Sequence, residues 1–176
     1  MAPSARSEAD LSSALPDAVQ ALVAAHRDRP EMLLELLHAV QHELGHVPDG
    51  AVPEIAQALN LARAEVHGVV TYYRHFRRRA PGRHVIQVCR AEACRACGGE
   101  ALLEHAERTL GCGRDRTSEE GRFTLEPVYC LGLCASSPAI QIDDRQHARV
   151  TPQRFDALVA ALRGSALTGQ DRDRRR

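Results

Sequence analysis

Apolar positions along the chain change period once, and the change divides it. Up to about residue 80 they recur at helical spacing. Leu15, Val19, Leu22 and Val23 form one stripe, and Leu33, Leu36, Leu37, Val40 and Leu44 form a stronger one entered through Pro30. The turn Gly45-His46-Val47-Pro48-Asp49-Gly50 closes that second helix. Two shorter patterns follow, one with Val52, Ile55, Ala56 and Leu59, the other with Val66, Val69, Val70 and Tyr73. Four short helices predict a small bundle.

From residue 83 the period is that of a strand. His84-Val85-Ile86-Gln87-Val88 runs directly into Cys89, so the boundary falls near Ala80-Pro81-Gly82. Leu102, Leu103, Ala106 and Leu110 mark a helix stopped by Gly111 and Gly113, and a polar loop spans Arg114 to Gly121. Phe123-Thr124-Leu125-Glu126-Pro127-Val128 predicts a second strand, with Pro127 near its end where a missing donor is tolerated. It delivers the chain to Cys130. Ile140 and Ile142, the turn Asp143-Asp144-Arg145-Gln146, and Ala148 and Val150 on the return predict a β-hairpin. Thr151 caps a last helix with Pro152 at its first position and Phe155, Leu158, Val159 and Leu162 inward. The order is β, α, β, β, β, α. The expected organisation is a disordered stretch over residues 1–13, a helical bundle over 14–80, a second domain over 81–163 and a disordered tail over 164–176.

Composition narrows the function. The 176 residues carry 44% apolar and 26% charged positions and a formal net charge of zero, without the bulk positive field that non-specific nucleic-acid binding needs. The N-terminus lacks a signal pattern, and no apolar run approaches the ~20 residues of a membrane span. The expectation is a cytoplasmic protein without direct membrane insertion. In a reducing compartment, six cysteines crowded between residues 89 and 134 point to metal ligands or redox groups rather than disulfides.

A [2Fe–2S] cluster needs two thiolates on each of two irons, and loops that present cysteines in pairs supply them. Cys89-x4-Cys94 and Cys130-x3-Cys134 are two such pairs, each just beyond a predicted strand. Gly132 permits a positive φ that lets the second loop wrap and aim amide N–H groups at sulfur, and Ser136 and Ser137 offer hydroxyls for the same purpose. Three other readings fit the spacing. Cys89-x4-Cys94-x2-Cys97 matches a plant-type ferredoxin run, with Cys97 as ligand and Cys134 spare. Cys94-Arg95-Ala96-Cys97 before a helix matches a thioredoxin-like dithiol. Four paired cysteines also suit structural zinc.

Elsewhere the chemistry is weaker. His38, His42 and His46 recur every four residues, but the apolar stripe turns them toward solvent or a partner. The helices from Val52 to Tyr73 look like a helix-turn-helix followed by Arg74, Arg77, Arg78 and Arg79, yet the second helix opens Ala62-Arg63-Ala64-Glu65, with one good base reader. A subunit interface suits this surface better, with Tyr72, Tyr73 and Phe76 in it, although core packing explains the tyrosines equally well. No Gly-rich phosphate loop, carboxylate pair or Ser-His-Asp arrangement stands out, so no catalytic residue is nominated.

Leu33-Leu34-Glu35-Leu36-Leu37-His38-Ala39-Val40-Gln41 with Gly45-His46-Val47-Pro48, then Glu65-Val66-His67-Gly68-Val69-Val70-Thr71-Tyr72-Tyr73, resembles the N-terminal helical part of the 24-kDa subunit family of NADH dehydrogenase (complex I). Cys89-x4-Cys94, the Phe123–Glu126 strand, Cys130-Leu131-Gly132-Leu133-Cys134, Pro138 and the Thr151-Pro152 helix extend the match from about residue 30 to residue 162. Within that family, His84-Val85-Ile86-Gln87-Val88-Cys89-Arg90-Ala91-Glu92-Ala93-Cys94 looks closest to the gamma subunit of soluble NAD-dependent formate dehydrogenases. The resemblance implies an α+β chain: an N-terminal helical bundle, then a thioredoxin-like [2Fe–2S] ferredoxin domain. It puts one [2Fe–2S] cluster on Cys89, Cys94, Cys130 and Cys134 and leaves Cys97 and Cys112 as small buried or loop residues. It places FMN and NAD on a partner subunit, beside other iron–sulfur subunits, and gives this chain an electron-transfer role near the flavin.

Overall fold

The computed structural model describes residues 15–164, and the chain divides between Ala80 and Pro81 into two compact units, each with its own core. The expectations for residues 1–13 and for the tail beyond Gly164 lie outside the described residues; Gly164 itself is the last residue of a helix.

The first unit holds α1 (Asp17–Ala25), α2 (Leu33–Leu44), α3 (Ala51–Leu59) and α4 (Arg63–Tyr72), with a 3₁₀ turn at Pro30–Met32 leading into α2. Leu36, Leu37 and Val40 are fully buried with Val19, Ile55, Leu59 and Val66, as the stripes require. Gly45, at φ 77°, stops α2 in a conformation that a Cβ would disfavour.

The loop that follows is part of the core. Val47 is fully buried, and its N–H donates to the Arg77 carbonyl at 2.7 Å. Gln41, a buried polar residue on α2, donates from Nε2 to the His75 carbonyl at 2.8 Å and accepts the Arg77 N–H at 2.7 Å. These bonds fasten the segment after α4 to α2 and seat Phe76 in the core, whereas Tyr72 and Tyr73 are exposed. Core packing therefore applies to Phe76, expected at an interface, and not to the tyrosines for which it was considered.

The second unit is built on β1 (His84–Cys89), β2 (Arg116–Thr117), β3 (Phe123–Val128), β4 (Ile140–Ile142) and β5 (Arg145–His147), with spatial order β2-β3-β1-β4-β5. β1 and β3 are parallel and in register from His84 opposite Phe123 to Cys89 opposite Val128; the other pairings are antiparallel. The parallel pair needs a crossover, which α5 (Glu92–Ala96) and α6 (Gly99–Leu110) contain. Ile86, Val88, Phe123, Leu125, Ile140 and Ile142 line one sheet face and pack on Leu102, Leu103, Ala106 and Leu110 of α6 and on Phe155 and Val159 of α7 (Pro152–Gly164). Thr151 Oγ1 accepts the Arg154 N–H at 3.3 Å, so α7 starts where Thr151 and Pro152 indicate.

Three elements differ from expectation. The short helix α5 lies between the first two cysteines and α6, and the polar loop contributes β2, which pairs with Thr124 and Leu125. The hairpin is also tighter. Ile142 pairs with Arg145, so the turn is Asp143-Asp144 and the return strand is Arg145–His147 rather than Ala148 to Val150. Asp143 fixes this turn: its carboxylate accepts the Val85 N–H at 2.9 Å and His84 Nδ1–H at 2.8 Å, tying the hairpin to β1.

Replacing Gln41 with Leu keeps the volume but removes two hydrogen bonds from a buried site. Denaturant unfolding should show a loss of about 1–3 kcal/mol.

Candidate metal centre

Because β1 and β3 are parallel, their C-terminal ends emerge side by side, with Cys89 ending β1 opposite Val128 ending β3. Bonds at this edge fix the loops that leave it: Arg90 N–H donates to the Val128 carbonyl at 2.7 Å and Cys89 N–H to Ala139 at 3.1 Å. α5 brings Cys94 back to Cys89, and a 3₁₀ turn at Cys134–Ser136 brings Cys134 back to Cys130.

Four of the six cysteines therefore meet two by two. Cys89 and Cys94 are each 2% exposed and hydrogen-bonded thiol to thiol. Cys130 and Cys134 are exposed, with their sulfurs 3.9 Å apart. The pairs adjoin: the Leu131 backbone amide lies against the Cys89 sulfur, and charge on Cys94 is felt at Cys134. Gly132 adopts φ 76° and its N–H donates to Cys130 Sγ at 3.3 Å, the wrapped loop that the glycine predicts.

The local electrostatics separate the thiols. Burial pushes the Cys89 thiol up, and the neighbouring Cys94 adds to this. Burial acts on Cys94 in the same sense, but hydrogen bonding with Ser137, Cys89 and the Ala139 amide outweighs it and holds Cys94 below its ordinary value. Cys134 is raised by its contact with Cys130. In the first pair Cys89 thus supports Cys94 as a thiolate, the form that ligates metal.

Cys97 and Cys112 stand apart. Cys97 is exposed at the C-terminal cap of α5, and Cys112 is buried in the core beneath the sheet, where desolvation raises its thiol. Among the described residues no three His, Cys, Asp or Glu side chains gather around a point as ligands of a single ion do. A dinuclear cluster takes two thiols from each of two adjoining loops, and this arrangement fits it.

The model of the thioredoxin-like [2Fe–2S] ferredoxin family matches residues 19–163. The chain belongs to that family. Its relatives include an NADH-quinone oxidoreductase subunit of Pseudomonas aeruginosa, 41% identical over 73% of this chain and 77% of that one. An NADH-quinone oxidoreductase subunit of Rhizobium meliloti is 37% identical over 84% and 88%, and one of Thermus thermophilus 34% over 77% and 75%. The fold is also found in the crystal structure of an NAD+-reducing [NiFe]-hydrogenase in its H2-reduced state, with a TM-score of 0.65 at 24% identity, covering 79% of this chain and 23% of that one. As a ferredoxin of this family the chain is an electron carrier with one [2Fe–2S] cluster. No helix among the described residues is long and apolar enough to cross a membrane.

Two features that sequence reasoning missed support this ferredoxin's first loop. One is Gly99, where a Cβ would stand 2.7 Å from the Cys94 carbonyl oxygen and 3.0 Å from that of Cys89. The Gly98-Gly99 doublet at the start of a helix was the available signal. The other is an ion-pair chain beside Cys89. Arg90 Nε and Arg114 Nη2 lie 3.0 and 2.9 Å from the Glu100 carboxylate, and Arg114 Nε lies 3.2 Å from Glu107. Partial burial acts to raise the Glu100 carboxyl, but Arg90 and Arg114 outweigh it and hold it below its usual range.

Gly99→Ala must displace the backbone of both buried cysteines. Reconstitution should lose most of its iron and sulfide per chain, and unfolding should show a cost on the order of 1–3 kcal/mol. The lowered Glu100 carboxyl means that the unfolded chain binds more protons, so its stabilisation is complete above the ordinary carboxylate range and is lost as pH falls through the lowered value. With the side chain 34% exposed, solvent screening keeps the effect below about 1 kcal/mol. Glu100→Gln should flatten the acid limb of stability against pH by that amount.

Proposed function

We propose that the chain is the electron-transfer subunit of an NAD-linked oxidoreductase complex, holding its [2Fe–2S] cluster on Cys89, Cys94, Cys130 and Cys134. The observation that carries the ligand assignment is the meeting of these thiols in two adjoining pairs at the ends of β1 and β3. The bound cluster supplies a one-electron acceptor and donor. The residues do the rest. Cys89 and Cys94 anchor the buried side, Gly132 and Leu131 aim amides at sulfur, and exposure of Cys130 and Cys134 leaves one side open to an electron partner.

The parent complex is of the soluble formate dehydrogenase type, with this chain as its gamma subunit. The His84–Cys94 wording supports that choice. FMN and NAD sit on a partner subunit, beside further iron–sulfur subunits, and the complex is cytoplasmic. The N-terminal helical unit grips those partners; Tyr72, 79% exposed, and Tyr73, beside Arg residues, have the composition of such an interface. A second reading, the corresponding subunit of an NADH-quinone oxidoreductase, is favoured by the names of the relatives. An NAD-reducing hydrogenase is the third member of the same class.

Iron and acid-labile sulfide on anaerobically purified chain, with EPR after dithionite, should give one [2Fe–2S] cluster; colourless, zinc-containing protein would sink the electron-transfer reading. Cys→Ser at residues 89, 94, 130 and 134 should each abolish or alter the signal, while changes at Cys97 and Cys112 leave it intact. Full cluster content without Cys134 would hand its place to Cys97. A tagged chain should co-purify with a flavin subunit and formate-dependent NAD reduction; quinone reduction instead would select the second reading.

A further inference from the structure

Ser137 touches one cysteine of each pair. Its Oγ lies 3.4 Å from Cys94 Sγ and donates to the Cys134 carbonyl at 2.9 Å. Of the two serines that follow Cys134, it is the one whose hydroxyl reaches a cysteine sulfur. Its backbone neighbours are fixed on both sides: Arg149 N–H donates to the Ser136 carbonyl and Val150 N–H to Pro138, each at 2.9 Å, and Cys89 N–H donates to Ala139 at 3.1 Å. The backbone that carries the hydroxyl is thus fixed beside both cysteines.

With Cys94 as a thiol, donation runs from Cys94 S–H to the Ser137 oxygen, and from Ser137 O–H to the Cys134 carbonyl. A sulfur bound to iron carries no hydrogen and can only accept. Ser137 then has one hydrogen and two acceptors, a charged sulfur and a neutral carbonyl, and the charged acceptor makes the stronger bond. We propose that Ser137 is a positioning residue of the cluster site, whose hydroxyl turns to donate to the Cys94 sulfur and thereby makes the site a better electron acceptor. This rests on Cys94 being a ligand, as proposed above. A donor to a ligating sulfur stabilises the more negative, reduced form and so raises the potential.

The test is an EPR-monitored redox titration of the full chain reconstituted with iron and sulfide, as wild type, Ser137→Ala, Ser137→Thr and Ser137→Val. Thr and Val share a shape and differ in the hydroxyl. The expected result is a more negative midpoint for Ala and Val and the wild-type midpoint for Thr. Equal midpoints in Thr and Val overturn the proposal. Should Thr take up a cluster where Val and Ala do not, the hydroxyl acts at assembly rather than on the potential and the proposal falls; if all three fail, the position answers to shape and the proposal falls as well. Cys94→Ser, measured alongside, keeps the two assignments separate. An unchanged cluster there removes Cys94 from the ligand set, whereas cluster loss there with equal Thr and Val midpoints removes only the role of Ser137.

Discussion

The parallel pairing of β1 with β3 is the constraint on which the rest of the second unit depends. Two antiparallel strands would send Cys89 and Cys130 to opposite edges of the sheet; the parallel ladder from His84–Phe123 to Cys89–Val128 releases both loops at one edge. Its register is set from the core, where Ile86 lies between Leu125 and Ile142. A slip of one residue would turn those side chains to the other face and move Cys89 with them. The same packing that stabilises the sheet therefore positions the cysteines, and site and fold are not separable.

The two pairs then receive different surroundings. Cys89 and Cys94 sit in a small apolar cluster with Ala139 under partial cover of Ala91, Val128, Leu131 and Leu133, while Cys130 and Cys134 face outward. Burying sulfur that would become charged on ligation is costly, and the loops offset this with donors already in place: the amides of Ala91 and Leu131 at Cys89, and the Ala139 amide at Cys94. A site with one closed and one open side suits a carrier that must hold a charged group yet meet a partner within tunnelling range.

The helical unit follows a different logic. Its core is an ordinary amphipathic one, but the segment after α4 is retained by polar bonds, with Gln41 serving the backbone of both His75 and Arg77. Buried amides of this kind fix one arrangement where apolar contact alone would permit several. They hold Phe76 inward, and the exposed tyrosines just before it remain available on the surface.

Much of this was legible in the chain. Helical spacing in Leu33, Leu36, Leu37 and Val40, alternation in β1 and β3, the Thr151-Pro152 start of α7 and the positive φ at Gly132 are local properties, fixed by side-chain periodicity and backbone sterics within a few residues. Four cysteines in two spaced pairs, and membership of the family, could likewise be read from the letters. Spacing alone did not show which thiols meet, since that depends on contacts across some 35 residues of intervening chain that only the β1–β3 ladder closes. Nor did it show that Cys112 is sealed in the core, that Gly99 must lack a Cβ, that Asp143 shortens the hairpin, or that Ser137 bridges the pairs. Each of these is a distance between residues remote in sequence, and tertiary packing decides such distances.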